Sequence, residues 1–148
     1  MRVGRRLGLD PGSVRIGVAV SDPSGLLASA REPVAAGDSS QLDALIAEID
    51  PMEIIVGLPV GLDGSVGKAA QGATSFAQEL AKRTGIDVRL VDERLSTVQA
   101  QRGFHNQGRS VRQSRTMIDS ASAQVVLQHV LDAERTTGRA PGEVCSRP

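Results

Sequence analysis

The chain has 148 residues, 40% of them hydrophobic, with 17 cationic and 17 anionic side chains and a single cysteine. That length supports one substantial core and is too short for two ordinary domains, while the balanced charge excludes a uniformly basic nucleic-acid binder. Cys145 alone cannot build a disulfide framework or a thiolate zinc site within the chain. No run is long enough to span a bilayer, and Met1–Arg6 leads into an apolar stretch too short for a signal peptide, so a soluble cytoplasmic protein is expected.

Leu7–Leu9, Val14–Val20 and Leu26–Pro33 read as three successive strands. The turn signals Asp10-Pro11-Gly12 and Asp22-Pro23-Ser24-Gly25 separate them, which predicts an antiparallel meander. Ser39 or Ser40 can cap a helix whose apolar positions Leu42, Leu45, Ile46 and Ile49 recur at helical spacing, with Pro51 just past its end. A buried-looking strand, Ile54–Leu58, follows. A Gly-containing loop from Pro59 to Gly67 then leads to a helix carrying Ala69, Ala73, Phe76, Ala77, Leu80 and Ala81 on one face and closed by Gly85. After strand Ile86–Val91, Ser96-Thr97-Val98-Gln99 has the form of a capping box and predicts a short helix. Phe104–Ser114 is polar and basic and reads as a mobile loop. The last helix directs Ile118, Ala121, Val125, Val126, Val130 and Leu131 to the core, and residues from Thr136 onward read as disordered. Three antiparallel strands followed by alternating helices and strands describe a mixed sheet with helices on its faces, the ribonuclease H-like layout.

Asp10 closes an apolar strand, where a carboxylate is costly unless paired, hydrogen-bonded or bound to a cation. Glu93, after Val88-Arg89-Leu90-Val91, and Asp119, at the start of a long amphipathic segment, stand in comparable settings. Three acids on separate elements can cage a hard, oxygen-seeking ion. Each also has a purely structural reading. Asp10 could fix a hairpin turn, Glu93 could pair with Arg89 or Arg94, and Thr116-Met117-Ile118-Asp119 could be a capping box that gives Asp119 a role at a helix start.

Between Leu95 and Ile118 the chain has no acid but carries Arg102, Arg109, Arg112 and Arg115, a local cationic patch able to engage phosphates. Arg15, Arg94 and Lys68 are further candidates for nucleic-acid contact. With no Trp or Tyr and only Phe76 and Phe104, stacking cannot dominate, so backbone contacts would carry binding. His105 and His129 are too far apart in sequence to suggest a zinc site. The glycines before Lys68 fail the Walker A pattern, because Leu62 and Ala69 occupy the positions that need Gly and Ser or Thr.

Four blocks in order carry a resemblance. They are Leu9-Asp10-Pro11-Gly12 with Arg15–Asp22, Val56-Gly57-Leu58-Pro59 with Asp63-Gly64-Ser65, Val91–Thr97, and Asp119 before an Ala-containing helix. Together, from about Gly8 to Leu131, they resemble the YqgF/RuvX family of RNase H-like nucleases related to the Holliday junction resolvase RuvC. The resemblance implies an α/β fold with a mixed five-stranded sheet in a nuclease domain over residues 1–136, and the residues themselves read as a disordered tail over 137–148. It implies a phosphodiesterase using Mg²⁺ or Mn²⁺, with Asp10, Glu93 and Asp119 as catalytic acids and metal ligands. Family members are assigned to processing of the 5′ end of pre-16S rRNA, and some to four-way DNA junctions, where symmetric cutting would require a homodimer. RuvC-type resolvases place a fourth acid three residues after the last one; here that position is Ser122. Two other classes remain open: a non-catalytic RNA-binding assembly factor, and a relative of sugar kinases and actin-like ATPases, which share the Asp-Pro-Gly hairpin but need a second domain.

Overall fold

In the computed structural model, residues 3–59, 67–92 and 111–145 are described, with side chains throughout except at 69 and 111–119. The elements are β1 (Arg6–Pro11), β2 (Arg15–Ser21), β3 (Ala28–Ala35), α1 (Ser39–Ile49), β4 (Glu53–Leu58), α2 (Lys68–Thr84), β5 (Val88–Asp92), α3 (Val111–Thr137) and β6 (Glu143–Val144). The sheet order is β3-β2-β1-β4-β5-β6. β1, β2 and β3 form the expected meander, whereas β4 and β5 run parallel to β1 and to each other.

The period-two alternation of the central strands makes two cores. Leu7, Leu9, Ile54 and Val56 face Leu42 and Ile46 of α1 and Ala73, Ala77 and Leu80 of α2. On the opposite face Ala19, Ile55 and Val91 pack under Ala123, Val126, Leu127, Val130 and Leu131 of α3. Strands apolar on both faces belong in the middle of a covered parallel sheet, and β1 and β4 are that middle.

Turn chemistry sets the connections. Asp22 folds the β2–β3 turn back on itself, its carboxylate accepting from the amides of Leu26 and Leu27, each at 2.8 Å, and from the Ser24 hydroxyl. These donors hold its pKa down at about 2. α1 is capped one residue earlier than the serine pattern suggested: Asp38 accepts from the Ser40 amide at 3.0 Å and from its hydroxyl at 2.6 Å. Both donors converge on one carboxylate oxygen, Oδ1, whose lone pairs can accept two hydrogen bonds. α2 ends where Gly85 adopts φ +73, a left-handed conformation that favours glycine.

Three expectations are corrected. The sheet has six strands, because Glu143–Val144 pairs antiparallel with β5 and the Cys145 amide donates to the Val88 carbonyl at 2.7 Å. The segment read as disordered therefore contributes an edge strand; two residues with no alternating pattern of their own gave no strand signal. Residues 111–114, read as part of a mobile loop, are the first turn of α3. The buried stripe of α3 runs through Ser120, Ala123, Val126, Leu127, Val130, Leu131 and Glu134, leaving Ala121 and Val125 only partly covered. Two of its members are polar, so a search for apolar spacing set the helix face slightly off. The short helix proposed after Ser96 and the loop from Phe104 to Ser110 lie outside the described residues.

Candidate active site

Parallel pairing of β1, β4 and β5 brings their carboxyl ends to one edge of the sheet. Leu9 lies beside Val56, Val56 beside Leu90, and Leu58 beside Asp92. That edge is where open α/β sheets bind ligands. Asp10 stands there, opposite Gly17 of β2 and two residues beyond Gly8. The hairpin beyond it is tight: the Gly12 amide donates to the Arg15 carbonyl at 3.0 Å, and a Cβ on Gly12 would lie 2.6 Å from that oxygen. Arg15 and Val14 are exposed at this hairpin tip.

Asp10 is half-buried, and burial alone pushes its carboxyl above the ordinary aspartate range. No described donor hydrogen-bonds it and no described cation pairs with it. This removes the turn-fixing explanation among the described residues, since a turn-forming aspartate spends its oxygens on nearby amides, as Asp22 does.

α3 crosses above β1 in the opposite direction. At one end the Arg6 guanidinium donates to Glu134 at 2.9 Å. Farther along β1, a Cβ on Gly8 would meet Leu127 Cβ at 3.0 Å and the Ala123 carbonyl at 3.2 Å, so glycine lets the helix close directly onto the strand. Two further strand residues, an advance of about 6.6 Å, reach Asp10. One helical turn before Ala123, about 6 Å along the axis, is residue 119. The backbone thus carries Asp119 toward the Asp10 end of the sheet. Asp119 is the ninth residue of a 27-residue helix, which overturns the capping-box reading, because a cap stands at the helix start. Ser122, the position of the fourth acid in RuvC-type resolvases, is exposed.

Glu93, Arg94, Arg102 and Arg109 lie outside the described residues. Arg112 and Arg115 fall on the first turns of α3, where only the backbone is described. Lys68 is exposed at the first residue of α2, after Gly67. Arg89, weighed as a partner for Glu93, instead pairs with Glu53 at 3.3 Å. Among the described residues no three His, Cys, Asp or Glu side chains converge as a metal site; of the proposed triad, only Asp10 has a described side chain. Its two hard oxygen donors, with no counter-charge among the described residues, suit a divalent cation.

The RuvX family model, described as Holliday junction resolvase, matches residues 4–133. A relative from Leifsonia xyli named "Putative pre-16S rRNA nuclease" is 46% identical, covering 96% of this chain and 94% of its own length. One of the same name from Streptomyces coelicolor is 47% identical, covering 97% of this chain and 89% of its own. Among solved structures, T. thermophilus RuvC in complex with a Holliday junction substrate superposes with a TM-score of 0.53 at 15% identity, covering 93% of this chain and 98% of that one. The last is a likeness of fold, and it agrees with the ribonuclease H-like layout. By the extent of the family match and by its relatives, the chain belongs to the RuvX Holliday junction resolvase family.

Proposed function

We propose that this chain is a divalent-metal-dependent endonuclease that processes the 5′ end of pre-16S rRNA in the cytoplasm. As a member of a nuclease family it is a hydrolase of phosphodiester bonds. The observation that carries the mechanistic reading is Asp10, a half-buried carboxylate without a described partner at the ligand-binding edge of the sheet. Holding such a charge out of water without compensation is unfavourable, so its retention there points to a cation.

In this reading Asp10, Glu93 and Asp119 would hold Mg²⁺ or Mn²⁺. When bound, such an ion supplies Lewis-acid activation of water and charge stabilisation at the phosphodiester. The chain's own contribution is placement. β1 fixes Asp10, β5 leads into Glu93 two residues after Val91, and α3, closed onto Gly8 at Ala123 and Leu127, carries the Asp119 backbone on toward Asp10. Arg15, one tight turn from Asp10, would neutralise a substrate phosphate, and Lys68, Arg94, Arg102, Arg109, Arg112 and Arg115 would extend that cationic surface. Contacts to the phosphate backbone position a substrate without reading its sequence, which suits a protein with two aromatic side chains.

The choice of RNA rests on relatives 46–47% identical over nearly the whole chain and named for pre-16S rRNA. Resolution of four-way DNA junctions, which would require two active sites brought together in a homodimer, is the second reading, favoured by the family's description. Purified protein incubated with pre-16S rRNA and with a synthetic four-way junction at matched salt, with Mn²⁺ present, separates the two. We expect faster cleavage of the RNA and a loss on the order of a thousandfold in Asp10→Asn. Equal cleavage by that variant and the wild type would refute the catalytic site. Junction cleavage without RNA cleavage would transfer the activity to DNA.

A further inference from the structure

Ser120 is fully buried on α3 and directly follows Asp119. A serine inside a helix commonly bonds back to the carbonyl four residues earlier. Here the hydroxyl reaches across to the sheet instead. It accepts from the Val18 amide at 3.0 Å and donates to the Arg31 carbonyl at 2.6 Å. Val18 and Arg31 are register partners on β2 and β3, beside the irregularity where β3 has one more residue than β2 between Val18 and Ile16. The extra chain there includes Pro33, which has no amide to donate. One hydroxyl thus joins both strands to the helix where their own ladder is interrupted.

The position of this link matters more than its existence. Val18 is the register partner of Leu9, and Gly17 the partner of Asp10. A short path therefore runs from Asp10 through Leu9 and Val18 to the Ser120 hydroxyl, and one peptide unit farther is Asp119. Every non-covalent step in it is a sheet pairing or a buried hydrogen bond. The other side-chain links from α3 to this sheet edge serve a different end: Gln128 accepts from the Ala28 amide at 2.8 Å and donates to the Leu26 carbonyl at 3.0 Å, and Gln124 donates to the Ala28 carbonyl at 3.2 Å. These lie one and two helical turns farther from residue 119.

We infer that Ser120 is a positioning residue, fixing the height and rotation of α3 so that Asp119 and Asp10 keep the separation a shared divalent cation requires. The inference rests on the reading of Asp119 as a ligand. Its physical basis is the tolerance of metal coordination, which is much narrower than that of helix packing. An alanine at 120 fills nearly the same space but leaves α3 free to slide or roll over the small side chain of Ala123 and over Gly8. Gln128 can be lost without that consequence.

Titration calorimetry of the full chain with MnCl₂, without nucleic acid, tests this on Ser120→Ala, Gln128→Ala and Asp119→Asn, with a thermal melt of each. Ser120→Ala should bind Mn²⁺ about 10- to 100-fold more weakly, with kcat falling and KM for RNA little changed. Gln128→Ala should melt at a lower temperature, as Ser120→Ala does, yet bind Mn²⁺ like the wild type. Wild-type Mn²⁺ affinity in Ser120→Ala would overturn the inference, as would an equal loss in Gln128→Ala, which would make the effect one of general stability. Should alanine prevent folding, Ser120→Thr keeps the hydroxyl: affinity near wild type supports the role and a tenfold loss rejects it. Wild-type Mn²⁺ affinity in Asp119→Asn, by contrast, would remove the ligand reading itself, whatever Ser120 does.

Discussion

The two ends of β1 treat buried charge in opposite ways. At the amino end Arg6 is fully buried against α3, pairs with Glu134 and donates to the Gly4 carbonyl at 2.7 Å. Its register partner Glu53, also buried, pairs with Arg89. Four elements are joined there by charges that compensate one another. At the carboxyl end, four residues along, Asp10 is half-buried with no described partner. One strand therefore carries a closed electrostatic cluster and an open one. Closed clusters hold elements together; an open one invites a ligand.

The contrast can be broken first at the closed end. Glu134→Gln removes the negative charge facing the Arg6 guanidinium and should cost about 3–5 kcal/mol, because a buried cation loses its counter-charge. Denaturant unfolding would measure it. The double variant Arg6→Met with Glu134→Leu should recover much of that loss, since apolar replacement of a buried pair is often neutral. Neither change should alter the Mn²⁺ requirement of the folded fraction.

Gly8→Ala lies between the two ends. The new methyl would press on Leu127 and on the Ala123 carbonyl, so a destabilisation of about 1–3 kcal/mol is expected from overpacking. Activity should fall more than the melt implies, because α3 must lift away from β1 to admit the methyl. A fall in melting temperature with unchanged kcat would show that Asp119 does not depend on this contact.

The smallest effect has the opposite sign. Asp10→Asn should stabilise the metal-free protein at neutral pH, by about 0.5–2 kcal/mol, as removal of a strained functional group commonly does. Burial raises the folded-state pKa of Asp10 above its unfolded value, so the charged form is disfavoured in the fold and wild-type stability is reduced as pH rises through that folded pKa. The advantage of Asp10→Asn should therefore fade as pH is lowered through it. Melts in EDTA across an acidic pH series would show the two proteins converging; a constant difference would place the effect elsewhere.

Much of this was legible in the residues. The short apolar runs Leu7–Leu9 and Ile54–Leu58 and the turn signals at Asp10-Pro11-Gly12 and Asp22-Pro23 specified the meander and the buried central strands, because apolar pattern and turn chemistry are local properties. Asp10 was visible as an acid at a strand end. Ser120, Glu134 and Arg6 were not. Each is a polar residue in a core position whose side chain links to another element 89 to 128 positions away in sequence, so no spacing rule could anticipate it. β6 was missed for a related reason: two residues acquire strand geometry only from the neighbour they pair with. The chain order of the acids suggested a triad, but the course of α3 over Gly8 is a tertiary fact.

The central claim is that a divalent cation binds where Asp10 ends its strand. Crystals soaked in MnCl₂ and measured at the manganese absorption edge test it directly. The account predicts an anomalous peak within coordination distance of the Asp10 carboxylate, shared with Glu93 and Asp119 and absent in Asp10→Asn. Full occupancy elsewhere on the molecule with none at Asp10, or a peak unchanged in the variant, would contradict it.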